Sequence, residues 1–176
     1  MTILCFCAAM LLASCGKKSE ESTYDGQEST IESFISARQS ASDTELRTVY
    51  NGGSARLVIT EGEGAELGES GSASIYYAGY VLGGSSVSAG DMFWTNHAGT
   101  AESAGWSMGD ETEFRPDTLD MAGPLLTGLR NGLKGVRGGE ECFILFSGKY
   151  GFGNADVGTI PAKSALAFHI WVEEIL

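Results

Sequence analysis

Proline is scarce here, with 3 in 176 residues, and basic side chains are few, with 11 Lys and Arg against 23 Asp and Glu. The resulting net charge of −12 argues against nucleic acid as a partner, since phosphate binding needs a basic footprint. It argues equally against adsorption to an anionic membrane through charge. No apolar run is long enough to span a bilayer as a helix. The two histidines, His97 and His169, stand far apart with no neighbour at metal-ligand spacing, so no metal is expected. His97 reads as a solvated loop residue and His169 as an outward-facing strand residue. No phosphate-binding loop and no nucleophile–base signature is found, so no cofactor or covalent chemistry is expected. Internal repeats and sustained heptads are missing too.

Cysteine is also sparse. Of four, Cys5 and Cys7 fall in an uncharged apolar stretch, residues 1–14. Leu12-Ala13-Ser14-Cys15 closes it and resembles a bacterial lipobox, in which the cysteine becomes the lipidated first residue of the mature chain. An ordinary secretory signal is the alternative. The basic residues that usually precede such a run are lacking. Cys142 would then stand alone, so no intramolecular disulfide is expected even in an oxidising compartment. The reading is a signal peptide over 1–14, a lipid on Cys15, and a bacterial cell-envelope location, on the periplasmic or surface side of an outer membrane.

What is abundant is glycine, 25 residues, which suits a turn-rich β protein. Residues 15–27 are polar and read as a flexible tether. Residues 28–55 read as a short helical extension. There Ile31, Phe34 and Ile35 share one helical face, with Ser29 and Glu32 spaced as a capping box. Strands are expected at Arg56–Thr60, Ser72–Leu82, Glu140–Ser147 and around Leu166–Trp171. Alternation puts Ile75, Tyr77 and Gly79 on one sheet face. It puts Cys142, Ile144, Phe146, Leu166, Phe168 and Ile170 on that inner side. Tyr76, Phe143, Leu145 and Trp171 then form an outer apolar patch too large to stay bare. The helix at Ile31, Phe34 and Ile35 is expected to cover it, in the same chain or in a homodimer partner. Pro124 opens a helix whose apolar face is Leu125, Leu126, Leu129 and Leu133. Gly128 and Gly132, four apart on one face of it, suggest close approach to the sheet.

From Leu125 on, the order is Leu125-Leu126-Thr127-Gly128-Leu129, Gly132-Leu133, Gly135-Val136, Gly139-Glu140, Tyr150-Gly151-Phe152-Gly153, Ile160-Pro161 and Leu166-Ala167-Phe168. This order resembles the FKBP family of peptidyl-prolyl cis/trans isomerases. Upstream, Ile75-Tyr76-Tyr77-Ala78-Gly79 and Phe93-Trp94-Thr95 resemble two further motifs of that family. The resemblance covers about residues 56–176. It implies an α+β fold, a twisted antiparallel β-sheet wrapped around a short α-helix, here with an N-terminal helical extension.

The resemblance also implies a site. Tyr77, Phe93, Leu126, Leu129, Phe152 and Phe168 would be catalytic wall residues, with the Leu126 amide donating to a substrate carbonyl. Leu125, Ile160, Phe114 and Trp94 would contact substrate, Phe114 as a rim aromatic with Trp106 as the alternative. Two polar groups of the family are replaced: Trp94 stands for an Asp that bonds the tyrosine, and Phe152 for a Tyr. Residues 96–123 form a longer excursion than the family's, read as a lid, a substrate selector or decoration. The implied activity is isomerisation of X-Pro bonds in exported polypeptide clients, without cofactor. The alternative is a module whose catalysis has decayed and which only binds clients.

Overall fold

The structure is a computed structural model that describes residues 11–107 and 114–176. Most of the leader and the Cys15 side chain lie outside the described residues, as does the 108–113 part of the excursion.

The chain opens with helix α1, Leu11–Ala41, and a hairpin of β1, Arg47–Asn51, and β2, Ser54–Thr60, turning at Gly52-Gly53. Next come β3, Glu63–Glu66, β4, Ser72–Val81, and β5, Met92–Thr95. The excursion holds α2, Ala98–Ser103, and β6, Asp117–Asp120. The rest is α3, Thr127–Leu133, β7, Arg137–Gly138, β8, Glu141–Phe146, and β9, Leu166–Ile175. The main sheet runs β1-β2-β8-β9-β4-β5, all antiparallel, and β6 joins the same edge of β4 as β5. This is the expected α+β architecture.

Each sheet face carries its own core, because strand side chains alternate. On the concave face Ile75, Cys142, Ile144, Phe146, Leu166, Phe168 and Ile170 pack around Leu129 and Leu133 of α3. The close approach suggested by the two helix glycines is real. A Cβ on Gly128 would sit 2.2 Å from Cγ of Phe146, and one on Gly132 2.2 Å from Cγ2 of Ile144. The last turn of α3 is closed by Arg56, which donates to the Gly132 and Lys134 carbonyls at 3.3 and 3.0 Å. Its guanidinium also lies 3.3 Å from Glu140, and both side chains are at most 5% exposed. Burial raises the Glu140 carboxyl above the ordinary carboxylate range, against the opposing pull of Arg56.

On the convex face Phe34 is fully buried, with its ring 5.1 Å from Phe143. Ile31 and Ile35 join Leu57, Leu145 and Ala167 in the same cluster. The expected cover is therefore supplied by α1 of the same chain.

Two expectations need correction. Residues 15–27 lie inside α1 and are not a tether, and Ser29 is mid-helix, not a cap. The hydroxyls of Thr23, Ser29, Thr30 and Ser33 bond back to carbonyls four residues earlier, so these polar residues do not break the helix. Gln27 then fixes it to the 148–163 loop: its Oε1 accepts from the Gly148 N–H at 2.8 Å, and its Nε2 donates to the Lys163 carbonyl. The second correction is that the extension over 28–55 is not all helical, because Arg47–Asn51 is an edge strand paired with β2.

Candidate functional site

Between α3 and the concave sheet face lies a cavity of about 320 Å³, within the size range of small-ligand sites. Tyr77, Leu125, Leu126, Leu129, Phe152 and Phe168 line it, together with Ile75, Leu119, Pro124 and Ile170. Phe168 is the hub of its aromatic wall. Its ring centroid is 6.2 Å from Tyr77, 5.8 Å from Phe93 in an edge-on arrangement, and 5.8 Å from Phe146 in a stack. Phe93 and Ile160 stand behind the lining and pack into the same cluster. Leu126 caps α3 from an extended conformation, and no described group accepts from its N–H.

A bulge aims the residues of β5. Gly79 pairs with Trp94 but Tyr80 pairs with Met92, which leaves Phe93 as the extra residue. Such an insertion breaks the alternation, so neighbouring side chains can share one face. Phe93 reaches across Gly79, where a Cβ would lie 2.4 Å from its ring. Trp94, 51% exposed, stands beside Tyr77 at the rim.

The backbone of Tyr77 is held on both sides. Its N–H donates to Oδ1 of Asn96 at 2.6 Å, and its carbonyl accepts from the Thr95 hydroxyl at 2.8 Å and the Asn96 N–H at 3.2 Å. Asn96 is buried, and its Nδ2 donates to the Ile75 and Arg115 carbonyls, tying the start of the excursion to β4 and to the segment before β6. The Tyr77 hydroxyl is pushed up to about 12, first by burial, then by the charge and hydrogen bond of Asp117; the Trp94 indole acts the other way.

Other residues lie elsewhere. Phe114 does not line this cavity. It borders a second one on the convex face with Tyr76, His97, Trp171 and Glu173. Trp106 also packs on the convex cluster. His97 is not a free loop residue: it caps α2 through Thr100 and stacks on Trp171 at 4.2 Å. Leu119, Asn96 and Asp117 escaped the sequence reading. The only sign was the apolar Leu119 in Asp117-Thr118-Leu119-Asp120, too short a pattern to mark a strand. In the described part of the excursion Leu119 lines the cavity and Asn96 holds the backbone of Tyr77. Among the described residues no cluster of His, Cys, Asp or Glu fits a metal ion.

Several solved structures share this fold. The three FKBP domains of wheat FKBP73 align with a TM-score of 0.58 at 15% identity, covering 74% of this chain and 51% of that one. FkpA from Escherichia coli gives 0.57 at 17% identity, over 95% of this chain and 67% of that one. A peptidyl-prolyl cis-trans isomerase from Pseudomonas syringae pv. tomato gives 0.58 at 15% identity, over 88% and 94%. The chain thus spans about half the length of the wheat protein. A sequence comparison with curated proteins gives no match. The family model for FKBP-type peptidyl-prolyl cis-trans isomerase matches residues 69–173, from before β4 to near the end of β9. The apolar cavity and its aromatic wall lie within that span, and the chain belongs to the FKBP-type peptidyl-prolyl cis-trans isomerase family.

Proposed function

We propose that the chain is a peptidyl-prolyl cis/trans isomerase acting on X-Pro bonds of exported polypeptides. The observation that carries this is the cavity floored by α3 and walled by Tyr77, Phe152 and Phe168. The barrier to be lowered is amide resonance, about 18–20 kcal/mol. Resonance separates charge, and an apolar box disfavours that separation, so the C–N bond loses double-bond character inside it. The aromatic walls hold the proline ring while the preceding carbonyl swings, and the unpartnered Leu126 N–H meets that carbonyl in its twisted position. Tighter binding of the twisted amide than of the planar one is what accelerates the step. No proton, electron or covalent bond is exchanged. Replacement of the family's Asp by Trp94 and of its Tyr by Phe152 therefore bears on binding more than on turnover.

The test is a proline-peptide isomerisation assay together with a proline-limited refolding assay, on the chain from Ser19 onward. Acceleration is expected, and Phe168→Ala and Tyr77→Ala should each lower it at least tenfold. A folded sample with no acceleration overturns the enzyme reading and leaves client binding as the function of the cavity.

The Leu12-Ala13-Ser14-Cys15 pattern supports a lipid anchor on Cys15 and a place in a bacterial envelope, with the lipid and not charge doing the tethering. No helix among the described residues is long and apolar enough to cross a membrane. Mass spectrometry of the membrane-bound protein should find the lipid, and Cys15→Ser should release it; an unmodified, soluble wild type would refute the anchor.

A further inference from the structure

The edge of β4 that carries Tyr77 is met by two short strands laid end to end. Trp94 of β5 is opposite Gly79, and Asp117 of β6 is opposite Ile75. Residues 75, 77 and 79 share the cavity face, so Tyr77 stands diagonally between Trp94 and Asp117, within side-chain reach of both. Asn96 secures this geometry, because its single side chain ties Tyr77, Ile75 and Arg115 together. Phe168 lies beside the Tyr77 ring, with centroids 6.2 Å apart, and Phe93 packs edge-on against Phe168 in turn. Of the two residues that flank Tyr77 from these strands, Asp117 is the ionisable one.

We propose that Asp117 is a positioning residue for the isomerase site: its carboxylate accepts a hydrogen bond from the Tyr77 hydroxyl while the Trp94 indole N–H donates to the hydroxyl oxygen. This rests on the isomerase reading of the cavity. The residue at Trp94 is the one from which the resemblance led us to expect a carboxylate. Here the carboxylate comes instead from a strand inside the long excursion, and the indole takes the donor side. The hydroxyl is committed at both ends, so Tyr77 offers the substrate a ring wall and no donor. The exposed indole extends that wall outward, beside the residue that flanks the substrate proline.

The upward displacement of the Tyr77 hydroxyl, with Asp117 among its causes after burial, agrees with this arrangement. The experiment is NMR of ring-labelled tyrosine, with Tyr77 assigned by its loss in Tyr77→Phe. At neutral pH the Tyr77 ring signal should move in Asp117→Asn and return toward its wild-type position in Asp117→Glu. At alkaline pH, Asp117→Asn should ionise Tyr77 below about 12. Glu174→Gln, the same charge change at an exposed site on β9, should alter neither. In kinetics, Asp117→Asn should lower kcat/KM about fivefold, mostly through KM, and this loss should vanish in a Tyr77→Phe background. A Tyr77 signal that ignores Asp117, or a kinetic loss that persists without the Tyr77 hydroxyl, overturns the proposal. The tyrosine titration decides on Asp117 even if the chain shows no isomerase activity, so the two readings fail separately.

Discussion

Glycine 128 shows how much one missing methyl can matter. A Cβ there meets the Phe146 ring at 2.2 Å, and that ring is stacked on Phe168 at the back of the cavity. Ala is the better helix former by up to about 1 kcal/mol, but forcing the ring aside costs about 1–3 kcal/mol. Gly128→Ala should therefore lower the chemical-denaturation midpoint and weaken catalysis by shifting Phe168. Gly26 is the contrasting case. It lies within α1 with nothing within 4 Å of a built Cβ, so Gly26→Ala should raise stability by about 0.5–1 kcal/mol. Equal effects of the two changes would refute the close-packing account. The spacing of the α3 glycines made this approach legible in the sequence. The role of Arg56 at the end of the same helix was not, because its partners lie more than seventy positions away, at Gly132, Lys134 and Glu140.

An element can be recognised while its orientation stays hidden, and β5 is such a case. Its place was readable from Phe93-Trp94-Thr95, but the bulge that brings Trp94 and Phe93 to the cavity side is a pairing property of β4 and β5. Period-two alternation alone would put adjacent residues on opposite faces. β6 was missed altogether, since four residues inside a polar stretch carry too little pattern, and with it went Asp117 and Leu119. Helix α1 was half read. The stripe of Ile31, Phe34 and Ile35 was legible because it repeats at helical spacing. The preceding turns were not, because their Ser, Thr and Gly residues favour turns in isolation and Gln27 docks on a loop distant in sequence. The stripe has a measurable weight. Phe34→Ala removes a fully buried ring from the convex core and should cost about 3–5 kcal/mol in urea unfolding. Glu28→Ala, on the exposed side of the same helix, should stay within about 0.5 kcal/mol. A small effect at Phe34 would mean that the convex face is stable without its helix.

At the scale of the whole molecule, stability is tied to pH through His169. The imidazole is stacked on Phe143 at 4.2 Å and lies 3.8 Å from Trp171, and as the neutral ring it donates Nε2–H to Glu141 at 2.8 Å. Burial pulls its pKa from 6.5 down to about 4, against the opposing influence of Glu141. The folded state thus keeps the ring neutral where the unfolded chain binds a proton. This contribution is complete above pH 6.5 and is lost progressively as pH falls toward 4. It amounts to up to about 3 kcal/mol. Loss of net negative charge on acidification acts in the opposite sense, so the comparison to make is with His169→Gln. The wild type should lose stability relative to that variant between pH 6.5 and 4, and parallel curves would exclude the assignment. The two faces of the sheet meet once more at Gln27. By gripping Gly148 and Lys163, one amide closes the stem of the loop that carries Phe152 and Ile160. Asn154 of the same loop adds a second tie to α1, donating to Glu20 at 3.0 Å. The helix that shelters the back of the sheet is thereby fastened to the loop that forms part of the wall on its front.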